Sequence, residues 1–350
     1  TFRQDLHTKG RPLSAEVRDS AGRLFTKTTS TWSCTEPHAG VHFTTLDATD
    51  SFVYDGDDTF RQTRARVSYD AYGNVTRTDE DGEVGVLGDE RASTASFVYN
   101  PTAWILTKPA LTQTLDASGA VVAQRRFYYD GATATTTPPT MGHLTKEEEW
   151  RTLPTEQWLA TSLTYDPLGN VKTVTDALNR TTTNTYDATG TYLLQIANTL
   201  GHTRQLVYDP RTGQVTSSTD QDNVTTTTEY DALSRVTKVI GPTDTAALPT
   251  ISYAYDLSTT PAKTTVSTRI QSGQPAVVTV STFTDGLGRT IQTRSPAEDP
   301  TKQVVTGAVE LDARGLTSKQ WVSYFDTVSA SYRPHTLVSG LSSPVSYTYD

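Results

Sequence analysis

Along residues 163–240 the chain alternates short runs rich in β-branched and aromatic residues with clusters of Asp, Gly, Pro and Asn. A two-residue alternation bounded by turn formers is the pattern of β-hairpins. Threonine, valine and tyrosine suit a pleated, half-buried surface. On 181–186, Thr182, Asn184 and Tyr186 share one face, and Thr181, Thr183 and Thr185 the other. On 202–208, Arg204, Leu206 and Tyr208 lie opposite Thr203, Gln205 and Val207. Neither strand has the wholly apolar side that a sandwich core requires. Such a sheet must be held by its hydrogen-bond ladder and by cross-strand pairs, each contributing ~0.2–1 kcal/mol. Closed on itself, a sheet with two wet faces would enclose water.

The runs are punctuated by one recurring phrase: YDPLGNV at 165–171, YDATGTY at 186–192, YDPRTGQV at 208–215 and YDALSRV at 230–236. Its tyrosines stand at 165, 186, 208 and 230, steps of 21, 22 and 22 residues, which is the period of a repeat architecture. In the first copy Asp166 caps a turn, Pro167 presets φ, and Gly169 takes the left-handed conformation that closes the corner. A strand follows, a second turn signal stands at 176–180, and 181–186 runs back to the next corner. One period is therefore two strands and two turns.

Weaker copies stand at 67–75, 283–291 and 310–317, and similar corners at 18–25 and 115–122. The predicted structural corners are Tyr69, Asp70 and Gly73; Tyr165, Asp166 and Gly169; Tyr186, Asp187 and Gly190; Tyr208, Asp209 and Gly213; and Tyr230 with Asp231. Residues 1–60 form an irregular β lead-in. Residues 61–350 form the hairpin array, most regular over 163–240, interrupted by insertions at 79–91 and 131–144. The segment 146–158 is the one expected short helix, broken by Pro154. Without an initial methionine, and ending in mid-repeat at SYTYD, the chain reads as part of a longer protein.

Of the 350 residues 35% are hydrophobic and 20% charged, apolar-poor for a compact globule, yet the strand-forming threonines and tyrosines argue against disorder. The formal charge of −9 provides no basic patch to neutralise phosphates, so nucleic acid is not an expected partner. No apolar run reaches the ~18 residues of a membrane-spanning helix, and the lone Cys34 excludes an internal disulfide framework.

Candidate chemistry is sparse. Cys34, His38 and His42, with Glu36 nearby, have ligand-like spacing, but Pro37 and Gly40 interrupt any helix that would align them, so loop residues without metal are expected. Asp57 with Asp58, and the glutamates at 147–149, read as solvated charge and not as paired acids or a calcium loop. The aspartates of the repeated phrase read as turn caps, and its tyrosines as packing between repeats rather than as sugar platforms. NVT at 74 and 223 and NRT at 179 are acceptor triplets of a threonine-rich repeat. No GxSxG elbow, HExxH, phosphate loop or dinucleotide fingerprint occurs. Neither an enzyme nor a cofactor is expected.

With these residues the chain resembles the Rhs/YD-repeat proteins over about 67–350. Its opening, FRQDLHTKGRPLSAEVRDSAG at 2–22, is similar to part of the Tc insecticidal toxin B component and related SpvB-like proteins. The resemblance implies an all-β fold of tandem YD-repeat hairpins, a long curved strip forming part of the wall of a hollow shell. The implied function is to encapsulate a C-terminal toxic polypeptide until delivery, in a secreted or surface-exported bacterial virulence protein. Implied partners are the enclosed polypeptide and a companion shell subunit or delivery complex. The family's self-cleavage motif is not found here, so no catalytic residue is carried over. The alternative reading is a cell-surface adhesin or carbohydrate-binding YD-repeat module.

Overall fold

The computed structural model describes residues 1–19, 21–152 and 155–349. It is almost entirely β. Twenty-three strands belong to one antiparallel sheet and three to a smaller one, and the one helical turn among the described residues is His335–Leu337. The chain divides into two compact units, Thr1–Thr183 and Asn184–Asp350.

The first unit is a meander in which each strand pairs antiparallel with the next in sequence. It runs through Ser14–Arg18, Leu24–His38, Val41–Tyr54, Phe60–Tyr69, Val75–Glu83 and Arg91–Asn100. It continues through Ile105–Leu115, Val121–Tyr129, Leu144–Arg151, Gln157–Tyr165 and Val171–Thr175. The second unit repeats the plan from Leu193–Ala197 to Lys302–Thr306. There Tyr324–Thr327 pairs with Lys302–Thr306, while Val309–Leu311, Thr317–Gln320 and Val345–Ser346 make the small sheet.

Most strand residues are half-buried whichever way they point. Thr181–Tyr186 and Gln214–Thr219 have no fully buried residue. Apolar burial is confined to small clusters. Val98, Ala110 and Tyr129 form one in the first unit, and Val305, Ala308 and Trp321 one in the second. The side chains buried most completely include the polar Arg294 and Gln292, so the ladder and cross-strand contacts hold the sheet more than an oily centre does.

Two expectations are corrected. Residues 146–158 form no helix. Leu144–Arg151 and Gln157–Tyr165 are strands paired from Arg151↔Gln157 to Lys146↔Ser162, and Pro154 lies outside the described residues. The physical reason is charge alternation. On a strand Glu147 and Glu149 reach Arg125 at 3.3 and 3.6 Å, whereas Glu148 meets Lys146 at 3.0 Å and accepts from the Tyr128 hydroxyl at 2.7 Å. Nor is 79–91 wholly an insertion. The strand Val75–Glu83 continues through its start, where Arg77 and Arg66 neutralise Asp79 and Asp81, each at 2.6 Å.

Candidate functional site

The feature that recurs throughout both units is the corner. At Asp166, the backbone N–H groups of Leu168 and Asn170 donate to Oδ1 at 2.9 Å each. The Asn170 side-chain amide donates to Oδ2 at 3.1 Å. Asp166 N donates to the Asn170 carbonyl at 2.9 Å and Gly169 N to the Asp166 carbonyl at 3.1 Å. Gly169 has φ +88°, so the loop is a turn followed by a left-handed residue. That geometry produces the bulge seen between Thr164 and Tyr165.

The corner at Asp70 repeats this form, that at Asp231 keeps it without the glycine, and those at Asp187 and Asp209 are variants one residue longer. Asp70 accepts from Tyr72 N and Asn74 N at 2.8 and 2.9 Å, with Gly73 at φ +86°. Asp187 accepts from Thr191 N and Tyr192 N at 2.7 and 2.9 Å, with Gly190 at +68°. Asp209 accepts from Arg211 N and its guanidinium, with Gly213 at +71°. Asp231 accepts from Leu233 N and Arg235 N at 2.9 and 3.0 Å, and Ser234 at φ +61° stands where the others have glycine.

The second turn of each period is the same device, which the tyrosine-led phrase hides. Asp176, Asn198 and Asp220 each accept from the N–H groups two and four residues on, with Asn179, Gly201 and Asn223 left-handed. Asp116, Asp285 and Asp312 do likewise. The detectable signal was an Asp or Asn at 166, 176, 187, 198, 209, 220 and 231, a half-period near 11 residues.

Tyrosine distinguishes one rim of the meander from the other by latching hairpin to hairpin. The Tyr165 hydroxyl donates to the Leu144 carbonyl at 2.8 Å, Tyr230 to Val215 at 2.8 Å and Tyr255 to Val236 at 2.9 Å. In each case the acceptor pairs with the tyrosine of the preceding corner, Tyr129, Tyr208 or Tyr230. Tyr69 and Tyr129 reach Leu46 and Pro109 similarly. Ring contacts add to the latch: Tyr165 stacks on His143, Tyr208 on Tyr192, and Arg235 lies 4.2 Å over Tyr255. Tyr186 closes the strand before Asp187.

The carboxylates at corners such as Asp70, Asp166 and Asp187 are held below the usual carboxylate range. The Asn170 backbone N–H, followed by that residue's side-chain amide, keeps Asp166 below the usual carboxylate range. At Asp70 burial pushes upward, but the Tyr99 hydroxyl at 2.6 Å and Asn74 outweigh it. The reciprocal effect, with burial first, pushes Tyr99 up to about 12. Asp130 is the extreme case. Burial opposes its charge, yet backbone N–H groups of Thr140, Met141, Gly142 and His143 converge on it at 2.7–3.0 Å and hold it at about 2. It thereby clamps the loop 131–143.

The remaining candidates find mundane partners. Cys34 is exposed, its Sγ 4.0 Å from His42 Nδ1, and His42 stacks on His7 at 3.5 Å. His38 pairs with Val41 at the hairpin tip. Asp57 accepts from Thr59. Among the described residues no group of three or more His, Cys, Asp or Glu is placed to hold a metal ion, and no helix is long and apolar enough to cross a membrane. One groove of about 340 Å³ in the first unit is lined by Thr94, Gln113, Gln124, Arg125, Glu149 and Trp150, among others. Another of about 600 Å³ in the second unit is lined by Tyr192, Leu194, Leu206, Tyr208 and Pro210, among others.

Residues 208–246 match the RHS repeat family. No curated protein matches the chain by sequence. Among solved structures, TcdB2-TccC3 is similar over 91% of this chain and 23% of that one, at 15% identity and a TM-score of 0.61. TcdB2-TccC3 without its hypervariable C-terminal region is similar over 91% and 25%, at 14% identity and 0.59. The Photorhabdus luminescens Tc holotoxin pore is similar over 93% and 26%, at 14% identity and 0.59. The chain thus spans about a quarter of the length of the chains it matches.

Proposed function

From a chain that carries an Rhs/YD repeat and shares the fold of Tc toxin components, we propose a wall segment of an exported bacterial shell that encloses a toxic polypeptide until delivery. The observation that carries this reading is the latch. Corners are closed by their own Asp or Asn, and on the tyrosine-bearing rim Tyr165, Tyr230 and Tyr255 tie theirs by a hydroxyl to the hairpin before. A wall works by exclusion, which needs an unbroken ladder with rigid margins and needs no reacting group. Half-polar strand faces also limit adhesion to an enclosed chain. The TcdB2-TccC3 fold matches this one about equally well with and without its hypervariable C-terminal region, as expected where the repeat fold stands independently of the variable part. A companion shell subunit or delivery complex, and export from the producing cell, belong to the same proposal.

Limited proteolysis of the intact parent protein tests it. The variable polypeptide should resist protease until the denaturant concentration at which the β circular dichroism is lost. Digestion at the rate of the free polypeptide under native conditions would reject enclosure. A saccharide-binding adhesin is the second reading, favoured by the groove that sets Trp150 beside Gln113, Gln124 and Arg125. Selective glycan-array binding that disappears in Trp150→Ala would establish that reading in its place.

A further inference from the structure

The repeat places asparagine and threonine two residues apart at three turns: Asn74, Val75 and Thr76; Asn179, Arg180 and Thr181; and Asn223, Val224 and Thr225. As sequence the three triplets are equivalent acceptors for an N-linked sugar. The fold separates them.

Asn74 is half-buried, and its carboxamide nitrogen donates to Asp70 Oδ2 at 2.8 Å and to the Leu106 carbonyl at 2.7 Å. Both amide hydrogens are engaged, and Thr76 Oγ1 donates to the Ser68 carbonyl at 3.2 Å. A transferase reaching this nitrogen would have to break two hydrogen bonds and leave a carboxylate oxygen and a backbone carbonyl without their donor.

Asn179 and Asn223 stand at the second turn of their periods, as the fourth residue of the corners capped by Asp176 and Asp220. Both are exposed and left-handed, at φ +60°. Their backbone N–H groups close the turn on the Asp176 and Asp220 carbonyls at 2.9 and 3.1 Å, whereas neither carboxamide makes a hydrogen bond among the described residues. The left-handed conformation accounts for tolerance of asparagine here but asks nothing of its side chain, and Gly201 fills the equivalent place in the Asn198 corner. The threonine of each triplet opens the following strand, Thr181–Tyr186 or Thr225–Tyr230. Its hydroxyl meets the threonine that ends the preceding strand, Thr175 at 2.9 Å or Thr219 at 2.8 Å, which fixes it on the same corner as the exposed carboxamide. Arg180, inside the first triplet, is neutralised by Asp176 at 2.6 Å.

We propose that Asn179 and Asn223, and not Asn74, are acceptors for an N-linked hexose, delivered from a nucleoside-diphosphate sugar by an asparagine N-glycosyltransferase that acts on the folded ribbon. The asparagine Nδ2 attacks C1 of the sugar. The Nδ2–C1 bond forms as the bond from C1 to the diphosphate oxygen breaks. The diphosphate leaves with the electron pair, a base of the transferase takes the amide proton, and nothing is oxidised or reduced. The modification does not depend on whether the ribbon encloses anything.

Incubation of the full folded chain with UDP-glucose and a soluble asparagine N-glucosyltransferase, followed by peptide mass mapping, tests the assignment. One hexose is expected at Asn179 and one at Asn223, with none at Asn74. Separate peptides spanning each triplet should all accept the sugar, which shows that the fold and not the transferase makes the distinction. Thr181→Val and Thr225→Val should each abolish the hexose on their own asparagine alone, with unchanged circular dichroism. A folded chain that stays unmodified while the peptides react overturns the proposal. So does a folded chain in which Asn74 reacts as readily as the other two, or one in which Asn179 keeps its hexose after Thr181→Val.

Discussion

At the scale of one residue, each corner depends on an Asp or Asn side chain that accepts backbone N–H groups and on a left-handed position three residues later, or four at Asp209. Gly169 at φ +88° sits where a side chain is strained and faces His143 Nε2 at 3.4 Å from its would-be Cβ. Gly169→Val should therefore cost on the order of 1–3 kcal/mol in urea unfolding. Gly169→Asn should cost clearly less, because Asn179 and Asn223 adopt φ +60° at the equivalent place. Equal losses would show that bulk against His143, not φ, decides. Asp130 sets an acid limit. Its folded pKa of about 2 lies below the ordinary ~3.9. The stability it contributes is complete above about pH 4 and is lost as the pH falls from about 4 towards 2. The urea midpoint should decline over that window, and Asp130→Asn should start lower at neutral pH and decline less steeply. Parallel profiles for the two proteins would show that other carboxylates dominate.

At the scale of the element, the hairpin joins its neighbour by ladder bonds and one hydroxyl. Tyr230→Phe and Tyr255→Phe each remove a single donor while leaving the ring, so each should lower stability by ~0.5–1.5 kcal/mol. The double variant should lose less than the sum, because Tyr255 donates to Val236, the residue paired with Tyr230 across the corner. Strict additivity would mean that the latches act independently. This device explains what the sequence revealed and what it concealed. The D-x-x-G phrase carries its mechanism within five residues, so the corners at Asp70, Asp166 and Asp187 were legible from local chemistry, as was the longer D-x-x-x-G corner at Asp209. The tyrosine was readable as packing between repeats, but its acceptor was not, because Leu144 lies 21 residues before Tyr165 and no local rule pairs them. The half-period of about 11 was missed because Thr or Ala replaces Tyr at the opposite rim. The segment 146–158 was misread because a run of three glutamates looks helical until Arg125 and Lys146 are known to flank it.

At the scale of the molecule, a ribbon stabilised between neighbours should unfold in pieces, and the buried ion network of the second unit tests that. Arg294, fully buried, donates to Asp326 Oδ2 at 2.9 Å, to Gln303 Oε1 at 2.8 Å and to the Thr327 carbonyl at 2.7 Å. Arg333 approaches the same carboxylate at 3.0 Å, and Gln292 holds the Arg333 carbonyl at 2.8 Å. No sequence pattern announced this, since Arg294 and Asp326 stand 32 residues apart. Asp326→Ala leaves two guanidinium groups around a buried void and should cost ~3–5 kcal/mol, whereas Asp326→Ala/Arg294→Met removes the orphaned charge and should recover part of that loss. In native-state hydrogen exchange the amides of Val277–Thr284, Thr290–Pro296 and Lys302–Thr306 should lose protection in Asp326→Ala. Those of Arg91–Asn100 and Ile105–Leu115, whose small core is Val98, Ala110 and Tyr129, should keep theirs. Because stability in such a chain accumulates between neighbouring hairpins, a defect at Asp326 should act first on the strands that pair next to it. Equal loss of protection in both sets of strands would mean that the chain unfolds as one cooperative body, and the neighbour-by-neighbour account of its stability would fail.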